Sequence, residues 1–139
     1  MAENVRRYGA HIDVLGHIDY ISRYAPYANP EVSYGIFQED IDKILRAAIE
    51  TDTVLELNTR RLGSRLACKE LVPVYTRYRE LGGRFVTLGP AAHPADAIAP
   101  NFGAAAALAA LVGPRPVTFS ERRLVPFPTY ILAQHGQKP

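Results

Sequence analysis

Gly83-Arg-Phe-Val-Thr-Leu-Gly-Pro-Ala-Ala-His-Pro-Ala-Asp-Ala-Ile98 is the stretch on which the reading of the chain turns. A glycine turn feeds the apolar run Phe85 to Leu88, which stops at Gly89-Pro90 ahead of a single histidine, His93. A short apolar run between turn residues predicts a buried strand whose C-terminal end opens into a loop. In parallel sheets that end is where ligands bind, so His93 stands where a metal or substrate ligand is expected. A second run, Ile12-Asp-Val-Leu-Gly-His-Ile-Asp-Tyr20, also ends in a histidine, His17, flanked by acids. Two strand-end histidines in one sheet can converge on one pocket, whereas a lone loop histidine is more often solvated or structural.

Outward from these runs the pattern alternates. Ala2 to Tyr8 reads as a short helix, Ile12 to Asp19 as the first strand, and Tyr20 to Pro30 as an irregular loop carrying Arg23 close to His17. From Phe37 to Thr51 the residues Ile41, Ile44, Leu45, Ala48 and Ile49 recur at helical spacing, with charged residues opposite. Thr53 to Asn58 reads as the second strand, and Thr59 to Gly63 as its exit loop. A second amphipathic helix covers Ala67 to Leu81. Proline inside a helix costs about 3 kcal/mol, so Pro73 predicts a start near Leu71 or a kink. Phe85 to Leu88, a helix over Asn101 to Val112 and a short strand over Pro116 to Ser120 complete the series. Strands alternating with helices predict an α/β fold with about four parallel strands and right-handed crossovers, an open sheet or part of a barrel. Residues 1–124 are expected to form this domain, and the Pro- and Gly-containing segment 125–139 a surface tail.

Composition narrows the possibilities. With 139 residues, 47% hydrophobic and 22% charged, the chain is sized for one domain with a real core. No uncharged apolar run is long enough to span a membrane. A single cysteine, Cys68, cannot form an internal disulfide and fits a cytoplasmic setting. The net charge of +2 is small and the arginine pairs are scattered, which argues against nucleic-acid binding.

Taken together, Asp13-Val-Leu-Gly-His17-Ile-Asp19-Tyr-Ile-Ser-Arg23-Tyr, Ile41-Asp42-Lys-Ile-Leu, Leu55-Glu56-Leu-Asn58-Thr59, Gly83-Arg-Phe-Val-Thr-Leu-Gly89 with His93-Pro94, and Phe119-Ser-Glu-Arg122 stand in the order and spacing of histidinol-phosphate phosphatases. The chain resembles the C-terminal half of these members of the PHP (polymerase and histidinol phosphatase) superfamily. The resemblance implies a portion of a distorted seven-stranded (β/α) barrel. It also implies divalent metal ions (zinc, manganese or iron) at the strand ends, and hydrolysis of a small phosphate monoester in histidine biosynthesis. Metals lower the pKa of bound water and neutralise phosphoryl oxygens, which is why the family supplies histidines and carboxylates there.

By resemblance, His17 matches the histidine of the family's Gly-His-x-Asp motif and His93 that of its Ser-Asp-Ala-His motif, both metal ligands. Arg23 matches a loop arginine placed for the substrate phosphate, where a guanidinium fork suits paired oxygens. Asn58 and Arg60 are further phosphate-binding candidates at the strand exit. The chain departs from the family at Pro90-Ala91-Ala92-His93, where Ala91 replaces an aspartate ligand, and Asp96 is read as capping the following turn. Nothing in Met1 to His11 matches the family's opening His-x-His motif. Two expectations result: a phosphatase part that is inactive as this chain alone, or a non-catalytic half-barrel that serves as a binding or dimerisation module. Either predicts a partner covering the open sheet, as a homodimer or a chain supplying the missing barrel half.

Overall fold

A computed structural model of the chain describes residues 1–89 and 101–128. Helix α1 (Ala2–Tyr8) and a 3₁₀ turn lead to strand β1 (Val14–Leu15), and helix α2 (Gln38–Glu50) leads to β2 (Val54–Asn58). Helix α3 (Arg65–Glu80) precedes β3 (Phe85–Gly89), and α4 (Phe102–Val112) precedes the hairpin β4 (Arg115–Ser120) and β5 (Arg123–Pro126). The sheet order is β1-β2-β3-β4-β5. The first four strands run parallel, and β5 returns antiparallel to β4.

Period-two alternation gives the sheet two different faces. Leu55 and Leu57 of β2, with Val86 and Leu88 of β3, share one core with Leu45 of α2, Val74 and Tyr75 of α3 and Ala105 of α4. Tyr75, fully buried, donates its hydroxyl hydrogen to the Glu56 backbone carbonyl at 2.5 Å, so the helix layer anchors the middle of β2 directly. Val54, Glu56 and Asn58 alternate with these leucines and lie on the opposite face, with Thr87 beside Glu56 in register.

Three expectations need correction. The first strand is confined to Val14–Leu15 rather than Ile12 to Asp19, because His17 takes a left-handed φ of 55° and Tyr20–Arg23 winds into a 3₁₀ turn. Helix α3 starts at Arg65 rather than near Leu71, which leaves the alternative expected of it, a helix running through Pro73. Ser64 caps it by accepting from the Ala67 N–H at 3.2 Å. Burial of Ala67, Leu71, Val74, Tyr75 and Tyr78 outweighs the proline cost, and Pro73 lies on the exposed side, where water can take the carbonyl it leaves unpaired. Finally, β5 adds an antiparallel strand that includes Val125 and Pro126, with Phe127 stacked on Phe102 beyond it.

The sheet is strongly curled. In a flat sheet the β4–β5 turn, three to four strand spacings from β1, would stand roughly 14–19 Å from it. Yet Arg122, at the β4–β5 turn, donates to Asp13 at 3.1 Å and to the Ala10 carbonyl at 3.3 Å, beside the start of β1. This closure is consistent with part of a barrel.

Candidate functional site at the strand ends

The C-terminal ends of β1 and β2 open into a cleft of about 330 Å³, lined by His17, Asp19, Tyr20, Ser22, Arg23, Asn58, Arg60, Arg61 and Ser64. A larger depression of about 660 Å³ lies at the opposite end of the strands, but its Asp13 and Arg122 are paired with each other. The strand-end cleft is the one that brings together His17, Arg23, Asn58 and Arg60.

His17 is held from three sides. Its Nδ1 lies 2.7 Å from Glu56 Oε1, its ring stacks on Tyr20 with centroids 5.8 Å apart and planes at 13°, and its φ of 55° fixes the backbone in a region that few non-glycine residues adopt. In the neutral tautomer that donates Nδ1–H to the carboxylate, Nε2 would keep the lone pair. This is the support that metal-binding histidines commonly have, in which a carboxylate fixes tautomer and ring orientation. A glycine makes room for that carboxylate. Gly89 is the position that matters, since a Cβ there would stand 2.2 Å from Glu56 Oε2, whereas one on Gly16 would make only an ordinary contact at 3.6 Å from Oε1.

The cations of the cleft divide into two kinds. Arg61 Nε donates to Asp19 at 3.0 Å, and its Nη2 donates to Glu31. Burial alone would lower its pKa, but the Glu31 and Asp19 contacts more than offset this and hold the guanidinium above its ordinary value. Arg23 and Arg60 also line the cleft, but neither has an acidic partner among the described residues; Arg23 rests instead over the Tyr24 ring at 5.6 Å. Asn58 Oδ1 accepts from the Arg60 N–H at 3.1 Å, which leaves its NH₂ group for a ligand.

Of the sequence-predicted residues, His17, Arg23, Asn58 and Arg60 thus meet in one cleft. His93, with Ala91 and Asp96, lies outside the described residues. Among the described residues no three His, Cys, Asp or Glu side chains are grouped to hold a metal ion. The donor set seen fits one corner of a metal centre, the imidazole of His17 backed by Glu56, rather than a complete one. Glu56 is the residue that sequence reasoning passes over, although an acid in the middle of an aliphatic parallel strand is itself a signal, since such strands are usually apolar throughout.

A carboxylate-backed histidine thus shares a cleft at the ends of parallel strands with two arginines that have no acidic partner among the described residues. No family model matches the chain. It is similar to a probable histidinol-phosphatase of Clostridium acetobutylicum, 46% identical over 112 residues that make up 81% of this chain and 44% of that protein. It is 33% identical over 79 residues to the histidinol-phosphatase of Lactococcus lactis, covering 57% of this chain and 29% of that one. Its fold matches the crystal structure of the Lactococcus lactis histidinol phosphate phosphatase complexed with zinc, L-histidinol and phosphate. The TM-score is 0.70 at 25% identity, over 89% of this chain and 49% of that one. In sequence and in fold the chain resembles histidinol-phosphatases, and it spans less than half the length of these relatives.

Proposed function

We propose that this chain carries the phosphate-recognition part, and one corner of the metal centre, of a PHP-type histidinol-phosphate phosphatase. The observation that supports this most is the single cleft in which His17 is braced by Glu56 while Arg23 and Arg60 have no acidic partner among the described residues. In this reading the two guanidinium groups and the Asn58 amide bind phosphoryl oxygens, and the Glu56 carboxylate holds the His17 tautomer with Nε2 available to a cation. A divalent ion bound there, zinc, manganese or iron, would polarise the phosphate and supply a low-pKa water. His93 is proposed as a second ligand. The remaining ligands belong to the portion of the relatives that has no counterpart here, so this chain by itself binds phosphate but does not turn it over. A cytoplasmic setting belongs to the same reading.

The partner completing the barrel would be a second copy or a chain carrying the complementary half. The outer edge of β1, the two-residue strand at the end of the sheet, is where further strands would add. Inorganic phosphate binding in the presence of zinc, followed by phosphorus NMR, tests the recognition step. Binding that is lost in Arg23→Gln supports it, and no binding in the unaltered chain overturns it. Hydrolysis of histidinol phosphate by the chain alone, abolished in both His17→Ala and His93→Ala, would refute the inactivity. Sedimentation at micromolar concentration showing only monomer would refute self-association.

A second reading, a non-catalytic half-barrel, is favoured by Ala91, since a methyl group cannot bind a cation where the family has an aspartate. Co-expression with a complementary half bearing His-x-His separates the two. Restored turnover supports the enzyme part, and phosphate binding without turnover supports the binding module.

A further inference from the structure

Arg61 lies in the cleft wall, carries a positive charge and neighbours two residues assigned to phosphate, so the simple expectation makes it a third anion ligand. Its surroundings say otherwise. Its fork is committed to two carboxylates that are themselves nearly buried: Asp19 is 7% exposed, and the Glu31 side chain is 7% exposed. Asp19 and Glu31 stand at the two ends of the loop that contains Arg23. Within that loop Ser22 Oγ accepts from the Val32 N–H at 3.2 Å, and Asn29 Oδ1 accepts from the Glu31 N–H at 3.1 Å. Arg61 lies within the Asn58-capped 3₁₀ turn (Thr59–Gly63) at the end of β2, so its side chain joins both ends of the loop to the end of the sheet. One cation between two anions leaves no net attraction to offer a phosphate.

Resting on the phosphate-binding reading above, we propose that Arg61 is a positioning residue: its guanidinium ties the Asp19–Val32 loop to the end of β2, and so sets Arg23 against the cleft, without itself contacting the anion. The fork matters because two different nitrogens reach two different carboxylates, a geometry that one ammonium cannot reproduce. The proposal makes a prediction of unusual sign. Glu31→Gln removes a negative charge next to Arg61 and, were Arg61 a ligand, would free it to tighten phosphate binding. As a tie, it loosens instead. If the competent loop is then present a tenth of the time, affinity for inorganic phosphate falls roughly tenfold.

The test measures phosphate affinity with zinc present, and amide hydrogen exchange, in the full chain and in Glu31→Gln and Arg61→Lys, with thermal melts to confirm folding. Weaker binding in both variants, with faster exchange confined to residues 20–32, supports the tie. Affinity that is retained in Arg61→Lys or raised in Glu31→Gln makes Arg61 a charge-bearing ligand and overturns it. Should the unaltered chain bind no phosphate, the phosphate-binding reading is what fails. The tie is then decided by exchange alone, and unchanged protection of residues 20–32 in both variants sinks it. Should Arg61→Lys not fold, Glu31→Gln, which keeps the guanidinium, carries the same decision.

Discussion

Strand β3 is bracketed by two glycines that do opposite work. Before it, Gly83 lies under the ring of Tyr78, where an added Cβ would come within 2.4 Å of three ring carbons. After it, Gly89 lies under the carboxylate of Glu56, where an added Cβ would come within 2.2 Å of an oxygen. The obstacles differ in kind. Tyr78 is a rigid ring locked in the core at 3% exposure, while Glu56 ends in a flexible chain at the rim of the cleft. One end of the strand is built to be stable, and the other to present chemistry. Gly83 also completes the stop of α3: its N–H donates to the Tyr78 carbonyl at 2.8 Å and the Gly82 N–H to Arg79 at 3.1 Å, with Gly82 at φ 109°. This is the paired-bond helix ending that glycine favours.

Exchanging each glycine for alanine tests the contrast. Gly83→Ala should cost about 1–3 kcal/mol in urea unfolding, the range for forcing a methyl into a well-packed core. Gly89→Ala should leave the urea midpoint nearly unchanged while pushing Glu56 off His17. Zinc affinity, read from the His17 ring signals by nitrogen-15 NMR, should then fall by roughly 10–100-fold, as for loss of a carboxylate behind a metal-binding histidine. Glu56→Gln should reproduce that loss. If Gly89→Ala unfolds the chain as readily as Gly83→Ala, the two ends of β3 do not differ as described.

Tyr78 sharpens the contrast through pH. Burial pushes its phenol up to about 12, despite a backbone contact from Leu55 acting the other way. The folded value exceeds the ordinary value near 10, so this contribution to stability is complete below about pH 10 and is lost as pH rises towards the folded value. Tyr78→Phe should therefore flatten the fall in melting temperature between pH 10 and 12. Glu56→Gln, at the other end of the strand, should leave that alkaline slope as it is.

How much of this was legible follows from which forces act locally. Helix α2 and strands β2 and β3 were readable because burial imposes a periodicity on their own residues. The β4–β5 hairpin was not. Its two-residue turn places Glu121 and Arg122 at φ 50° and 61°, a conformation normally signalled by Asn or Gly. Here Arg122 is held by Asp13 and the Ala10 carbonyl, partners more than a hundred residues away that no local pattern announces. Pro73 misled for a related reason, since the cost of a proline is local and the burial that overrides it is tertiary. Resemblance pointed to His17, His93 and Arg23, and position at the strand exit to Asn58 and Arg60; His93 lies outside the described residues, and the other four line one cleft. What neither could show was pairing: that Glu56 braces His17, and that Arg61 is spent on two carboxylates while Arg23 has no acidic partner among the described residues.

The smallest expected effect lies on the outer helices, away from both ends of β3. Arg77 of α3 clamps Asp42 of α2 through Nη2 at 2.7 Å and Nε at 3.1 Å, and the Tyr34 hydroxyl donates to the same carboxylate at 2.9 Å. The Arg77 bonds hold the Asp42 pKa below its ordinary value, with burial opposing and Tyr34 assisting. A depressed carboxylate pKa stabilises the fold above the unfolded value of about 3.9 and loses that contribution as pH falls through the folded value. Asp42→Asn should accordingly lower the melting temperature slightly at pH 7 and narrow its gap from the unaltered chain on acidification below about pH 4. Zinc and phosphate affinity should not change. A shift in either would mean that the helix layer reports to the cleft, and the separation between a stabilising end and a chemical end of the sheet would have to be given up.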